Sequence, residues 1–336
     1  MTDFTETFTK PVAFVRTFVS QYAPWLSLGI GVLARVLTNH NIEFAPKAVA
    51  LLIVAWTLPA ILARVLPDPL DGIREPKWRN VMRTTGAPFV VVALYKNVLF
   101  FLVPIWFGSA HFPSLNMGMP LLLAAMALAT CFSTQYHHHI IEHPVRRVIW
   151  SGVVLFAALV PALAVMALTP PRVSLFLAAL ISSGIATASL KGGDNILSRR
   201  AILGFVLSAV PVALTTVLLA PLLPPVPAIC HERGAGTAIV NRNLIGKAES
   251  FARGTRRVYA WFAVTLPPGY HQRIKYQWYH DGDAVGPPIE ATIEGGRATG
   301  FRTASHQNTP APGRWRADLN TNALQLVDRV TFDVSP

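Results

Sequence analysis

Seven long apolar segments dominate the first two thirds of this 336-residue sequence and limit what it can fold into. About 20 apolar residues are needed to cross the roughly 30 Å hydrocarbon layer of a bilayer. The segments are residues 24–37, 47–66, 88–107, 119–132, 148–168, 173–190 and 202–223. The first is short and carries Arg35 near its end, so whether it crosses fully is left open. The pattern predicts an α-helical transmembrane bundle of about seven spans.

Charge divides the chain into two parts. Residues 1–229 carry 24 charged side chains, and the much shorter stretch 230–336 carries 22. Only 14% of the whole chain is charged and 52% is hydrophobic, which excludes an ordinary soluble protein and a disordered one. We expect an N-terminal segment at 1–22, the bundle at 23–223, a stiff Pro-rich linker at 224–235 and a domain at 236–336.

The basic residues of the short loops indicate how the chain is oriented. Loops that would lie on the side of the N-terminus hold 12 Lys and Arg residues, whereas the opposite loops hold three, namely Arg35, Lys47 and Arg172. Basic residues collect in cytoplasmic loops. The sequence therefore predicts a cytoplasmic N-terminus and, after seven crossings, a C-terminal domain outside the cytoplasm.

The C-terminal domain has the pattern of an all-β fold. Ile274, Tyr276 and Trp278 alternate with polar residues, and Asp281-Gly282 marks a tight turn. Further strands are predicted at 257–266, 289–294, 298–305, 314–319 and 326–334. About seven short strands in a hundred residues favour a β-sandwich of immunoglobulin-like architecture.

Four sequence runs in this domain occur in the order of a known family. They are YQWYHDG at 276–282, FRTAS at 301–305, PGRWRAD at 312–318 and VTFDV at 330–334. This order resembles the bacterial domain-of-unknown-function family 2914, a small β-domain often tethered to the membrane. The preceding region is similar to the uncharacterised multi-span region found with it in proteobacterial proteins. The resemblance implies a multi-pass protein of the bacterial inner membrane with a periplasmic β-domain, and it implies no catalytic residues.

A cluster of four histidines within residues 137–143 could bind a metal. His139 and His143 with Glu142 between them match a zinc-binding pattern, and His138 is a further possible ligand. Pro144 follows at once, and Asp194 is the only acidic residue in the later cytoplasmic loop. A metal or haem site at this cluster stays open beside the favoured alternative, an interfacial polar loop. We therefore expect no cofactor.

Two polar residues, Lys96 and Asn97, lie inside the third apolar segment. Ionisable residues in hydrocarbon are costly and often mark function. The seven segments contain no acidic partner for Lys96, and its long side chain could extend toward the interface. Both alternatives stay open: a binding role for this pair, as in a transporter, or a side chain that reaches the headgroups.

The β-domain offers a second set of candidate binding residues. Strand parity places Trp278 and Trp315 in the core and turns Tyr279, Arg314 and Arg316 outward. Arginine binds phosphates and carboxylates. These three residues could therefore contact an anionic partner, such as lipid headgroups, a cell-wall polymer or another subunit. Nucleic acid is not expected on that side of the membrane.

These features favour a non-enzymatic integral membrane protein, an accessory, assembly or scaffold component whose β-domain binds an envelope partner or another subunit. We expect membrane lipids and another envelope or membrane protein as its partners. The basis is that the sequence shows no nucleotide motif, nucleophile elbow or catalytic carboxylate pair. The alternatives are a small-molecule or ion transporter that uses Lys96 and Asn97, and a metal- or haem-binding protein that uses the histidine cluster.

Overall fold

A computed structural model of the chain describes residues 87–166, 168–190, 199–297 and 299–336. For residues 87–97, 133, 134, 137, 141, 187–190 and 199–205 it describes the backbone alone. The predicted spans at 24–37 and 47–66 and the N-terminal segment 1–22 lie outside the described residues.

Six α-helices occupy the described residues before the β-domain. They are α1 (Ala87–Gly108), α2 (Gly118–Ala129), α3 (Ser133–Tyr136), α4 (Pro144–Met166), α5 (Pro171–Leu190) and α6 (Arg199–Leu218). A π-helix follows α3 at His137–Ile141. Pro144 and Pro171 begin their helices, where the missing N–H of proline costs no hydrogen bond and its fixed φ suits the first turn.

The predicted bundle of about seven spans is wrong. Among the helices whose side chains the structure describes over a sufficient length, only α4, with 23 residues, is long and apolar enough to cross a membrane. Helix α2 has 12 residues, about 18 Å at 1.5 Å per residue, because the chain turns at Thr130 and begins α3 at Ser133. The apolar stretches Val98–Gly108, Pro171–Ala186 and Val206–Leu218 are the parts of α1, α5 and α6 whose side chains the structure describes. For the predicted span at 119–132, apolar composition placed the end of the helix too late.

The C-terminal part of the chain is a β-sheet domain, as predicted. Its strands are β1 (Ile229–Gly236), β2 (Ala238–Val240), β3 (Asn243–Ile245), β4 (Ser250–Phe251), β5 (Arg257–Thr265), β6 (His271–His280), β7 (Asp283–Glu294), β8 (Phe301–Asn308), β9 (Gly313–Thr321) and β10 (Leu326–Val334). Asp281 and Gly282 both have positive φ and form the predicted turn between β6 and β7. Strand β1 begins inside the stretch predicted as a linker.

Two sheets share one core. The first has the order β1-β5-β8, and the second has the order β4-β10-β9-β6-β7. The hairpin β2-β3 forms a separate two-stranded sheet. The longer strands thus divide between two sheets. Trp278 and Trp315 are buried between the sheets, as strand parity predicted. The indole N–H of Trp278 donates to Ser305 Oγ at 3.0 Å, which links β6 of one sheet to β8 of the other.

The β-domain rests on one end of the helices. Asn116, in the connection from α1 to α2, donates to the backbone oxygen of Leu326 at 3.1 Å. Tyr270 donates to the backbone oxygen of Thr169, between α4 and α5, at 3.1 Å. Gln325 donates to the backbone oxygens of Leu223 and Pro224, after α6, at 3.3 and 3.0 Å. The ends of α1, α4 and α6 therefore lie on the same side, against the β-domain.

Removing a large side chain from the shared core should destabilise the β-domain. Phe262 is fully buried on β5, and its ring lies 6.0 Å from that of Tyr276 on the facing sheet. We expect Phe262→Ala to lower the free energy of opening of the β5 and β6 amides by about 3–5 kcal/mol, because a cavity remains. Hydrogen exchange of the full chain in detergent measures this. Ile289→Ala, at a side chain that is 47% exposed, is the control and should change it by less than about 0.5 kcal/mol. Equal effects of the two variants would contradict the shared core.

Candidate functional site

The outer face of the five-stranded sheet carries a row of charged side chains. On β9, Arg314, Arg316 and Asp318 alternate with the core residues Trp315 and Ala317. Arg316 pairs in register with Tyr279 on β6 and with Thr331 on β10. The two-residue period of a strand explains why these polar side chains share one face.

Arg316 lies over the ring of Tyr279. Its guanidinium carbon is 3.8 Å from the centre of the tyrosine ring, which is the geometry of a cation–π contact. Its Nε is buried without a hydrogen-bond partner and lies 3.5 Å from Asp318 Oδ1. The ring thus holds the guanidinium in place, and its Nε–H has no hydrogen-bond acceptor among the described residues.

Asp318 is already occupied by another arginine. Arg329 on β10 donates to both of its carboxylate oxygens, at 2.6 and 2.8 Å. The hydrogen bond to Asp318 raises the pKa of the Arg329 guanidinium above its ordinary value. Such a two-point contact is among the stronger polar contacts in proteins, and it fixes Arg329 beside Arg316.

A second buried carboxylate, Asp328, joins the helical region to the β-domain. Arg233 on β1 donates to its two oxygens at 2.7 and 2.9 Å, and His111 Nδ1, between α1 and α2, lies 2.6 Å from Oδ1. Burial alone would raise the pKa of Asp328. Contacts with His111 and Arg233 and the hydrogen bond from the backbone N–H of Arg329 outweigh it, so that this pKa lies below its ordinary value. The carboxylate is therefore charged near neutral pH.

Cys230, on β1 beside Asp328, has the character of an inert thiol. Burial and then the negative charge of Asp328 raise the pKa of its Sγ–H far above the ordinary value. The thiolate is the nucleophilic form of cysteine. Both cysteines of the chain are free. The thiol donates to the backbone oxygen of Glu232 at 3.3 Å and is not a reactive group.

These elements enclose a cleft of about 1100 Å³, which we call the basic cleft. Five cationic side chains line it: Arg233, Lys247, Arg314, Arg316 and Arg329. Glu249 and Asp281 are the acidic side chains in the lining, and His111, Phe112 and Pro113 form the wall next to the helices. Cations thus outnumber acids along the lining by five to two.

Two of the five cations are free to bind something else. The side chains of Lys247 and Arg314 are exposed, and neither has an ion-pair or hydrogen-bond partner among the described residues. Arg314 is positioned by its backbone, because its N–H donates to Asp281 Oδ1 and its C=O accepts from the Asp281 N–H, both at 2.8 Å. An anion in the cleft would find these two cations unoccupied.

The structure brings three of the predicted binding residues together and leaves two elsewhere. Tyr279, Arg314 and Arg316 all line the basic cleft. Lys96 and Asn97 lie in α1, and their side chains are outside the described part of the chain. A binding role for this pair stays a prediction.

The predicted metal ligands lie far from the cleft in the chain. His138 Nδ1 is 2.8 Å from Glu142 Oε2, and the rings of His138 and His139 are 5.1 Å apart. His143 is exposed just before α4. Among the side chains that the structure describes, no three His, Cys, Asp or Glu residues come together to hold a metal ion. A metal or haem site at His138, His139 and His143 stays a prediction, and so does the absence of a cofactor.

Most residues that line the basic cleft were not predicted from the sequence. His111, Arg233 and Lys247 were not singled out, because they come from separate connections and strands that meet only in the fold. Asp318 and Asp328 carried a signal, since each is a charged residue in a predicted strand otherwise rich in buried positions.

The fold and the cleft define a helical region that carries a two-sheet β-domain with a basic groove. The chain belongs to the family of unknown function DUF5924, whose model matches residues 1–243. The family model DUF2914, described as a protein of unknown function, matches residues 271–334. This match confirms the predicted resemblance. The first match includes His111 and Arg233, and the second includes Tyr279, Arg314, Arg316 and Arg329. The basic cleft is therefore built from both regions.

The other comparisons add little. No curated protein matches the chain. Among solved structures, a β-glucosidase from Listeria innocua in complex with glucose aligns at 8% identity and a TM-score of 0.19. The alignment covers 32% of this chain and 16% of that enzyme. So weak a likeness carries no argument about fold or function.

Protonation of Asp328 should weaken the junction between the helices and the β-domain. Because its folded-state pKa lies below its ordinary value of 3.8, its contribution is complete above that value and is lost as the pH falls through the folded-state pKa. We expect Asp328→Asn to lower stability at pH 7 by about 1–3 kcal/mol, since the amide removes the negative charge and replaces one acceptor oxygen with a donor.

Thermal unfolding of the full chain in detergent at several pH values measures this effect. The difference in melting temperature between wild type and Asp328→Asn should be largest at neutral pH and should shrink at acid pH. Asp333→Asn, at an exposed position on the same strand, is the matched control and should show a small difference throughout. A difference for Asp328→Asn that does not depend on pH would contradict the charged junction.

Proposed function

We propose that this protein is a non-enzymatic, membrane-anchored binding component whose β-domain takes up an anionic group of an envelope partner in the basic cleft. The observation that carries this proposal is the pair of unpaired cations, Lys247 and Arg314, beside the stacked Arg316. A charged hydrogen bond to a phosphate or carboxylate is stronger than a neutral one.

The arrangement of charges around the cleft favours binding over catalysis. Asp318 and Asp328 are held by Arg329 and Arg233, so neither is available as a general base. The raised pKa of Cys230 keeps its thiol protonated. Asp318, Asp328 and Cys230 are thus engaged in structure, whereas the cations Lys247 and Arg314 are not.

We further propose that the helical region lies in the bacterial inner membrane and that the β-domain lies in the periplasm. Helix α4 has the length and composition of a span. Apolar side chains such as Leu121, Ile149 and Leu207 are exposed on α2, α4 and α6, and they would meet lipid in a bilayer. Arg146 and Arg147 begin α4 at the end opposite the β-domain, as cytoplasmic basic residues do.

Reporter fusions test this orientation. Alkaline phosphatase, which requires export for activity, should be active when fused after Pro336. The matched control is a fusion after Arg147, at the opposite end of the helices, which should be inactive because basic residues are retained in the cytoplasm. The same activity from both fusions would contradict the orientation.

Removal of the two unpaired cations should weaken anion binding without disturbing the fold. We expect the double variant Lys247→Ala/Arg314→Ala to bind pyrophosphate at least tenfold more weakly than wild type, since one hydrogen bond to a charged group contributes about 1.5–3 kcal/mol. Isothermal titration of the full chain in a neutral detergent measures the affinity.

The matched control is Arg253→Ala/Arg256→Ala. It removes the same formal charge from exposed positions of the β-domain outside the cleft. This control should retain near wild-type affinity, apart from a small long-range effect that salt screens. Equal losses in the two double variants would show that net charge alone attracts the anion, and would overturn the cleft as the site.

A further inference from the structure

The wall of the basic cleft nearest the helices is apolar and strongly exposed. Phe112 lines the cleft and is 75% exposed, and Leu115, three residues further on, is 79% exposed. Both belong to the connection between α1 and α2. Exposed apolar side chains grouped beside polar residues mark surfaces that bind a membrane or another protein.

This apolar wall is also held rigidly. His111, next to Phe112, contacts the buried Asp328, and its backbone N–H donates to Asn116 Oδ1 at 3.2 Å. The Asn116 side chain donates in turn to the backbone of β10. Phe112 and Leu115 thus lie within a short segment that is fixed to the β-domain at both ends.

The cleft consequently offers two kinds of surface at one place. The sheet side carries Lys247, Arg314 and Arg316, and the helix side carries Phe112. An amphipathic ligand with an anionic head and an apolar tail complements both. A free anion leaves Phe112 exposed, and a purely apolar ligand leaves the cations unpaired.

We infer that the anionic group bound in the basic cleft is the phosphate headgroup of an anionic phospholipid from the membrane that holds the helices. This inference rests on the proposed function and names its ligand class. The cleft opens where α1 and α2 meet the β-domain, so a headgroup at the membrane surface reaches the cations while its acyl chains lie along Phe112 and Leu115. Basic pockets of membrane proteins are known to bind anionic lipid head groups.

The experiment compares two ligands on the same set of full-length variants in detergent. The probes are phosphatidylglycerol, counted as retained lipid by native mass spectrometry, and soluble pyrophosphate. Phosphatidylcholine, which carries the same phosphate without net charge, is the lipid control. Wild type should retain phosphatidylglycerol at least tenfold more tightly than phosphatidylcholine, because charged hydrogen bonds distinguish the two.

Two variants separate the polar and apolar contributions. Lys247→Ala/Arg314→Ala should weaken both phosphatidylglycerol and pyrophosphate binding about tenfold. Phe112→Ser/Leu115→Ser should weaken phosphatidylglycerol about tenfold and leave pyrophosphate unchanged, because only the lipid has an apolar part. Val240→Ser/Ile245→Ser, at exposed apolar positions of the β2-β3 hairpin, is the matched control and should change neither.

Each outcome decides between the two proposals. Pyrophosphate binding that depends on Lys247 and Arg314, with lipid retention that neither variant changes, would overturn the lipid inference and leave the proposed function standing. Loss of a co-purifying protein from the cleft variants with lipid retention unchanged would overturn it in favour of a protein partner. Failure of both probes to bind would overturn the lipid inference and the anion-binding function together.

Discussion

A buried carboxylate at Asp328 is the contact on which the junction of this molecule depends. A charge that is removed from water is costly unless donors surround it, and here the donors come from three directions. Arg233 reaches it from β1, His111 from the helical region, and the Arg329 N–H from its own strand. Because the helical region and both sheets supply these donors, the charge can be buried only when all of them are assembled.

Ion pairs with buried carboxylates also divide the cations of the basic cleft into two groups. Asp318 and Asp328 fix Arg329 and Arg233 as walls, while Lys247 and Arg314 remain uncommitted. The exposed residues of the cleft therefore differ in role although they share a charge. Some arginines hold the fold together, and the remaining cations are available to a ligand. Composition alone gives the net charge of the domain and cannot separate these two groups.

The parts of the fold that follow from local pattern were predictable from the sequence. Period-two alternation located β5, β6, β9 and β10 and correctly buried Trp278 and Trp315. Strand parity also turned Tyr279, Arg314 and Arg316 to one face, where the structure brings them together. The end of α2 was less predictable, because Cys131 and Phe132 continue the apolar segment after the helix has ended at Ala129. Contacts between His111 and Asp328 were beyond prediction, since no pattern relates residues so distant in the chain.

Strand β10 is the last strand in chain order, yet it lies inside its sheet, between β4 and β9, and it carries the junction with the helices. A nascent chain emerges from its N-terminal side, so the helical region is made long before the strand that ties it to the β-domain. Until β10 arrives, His111 and Arg233 lack their carboxylate, and the cleft lacks one wall. Joining of the two regions is therefore a late event in biogenesis, because it follows the synthesis of β10.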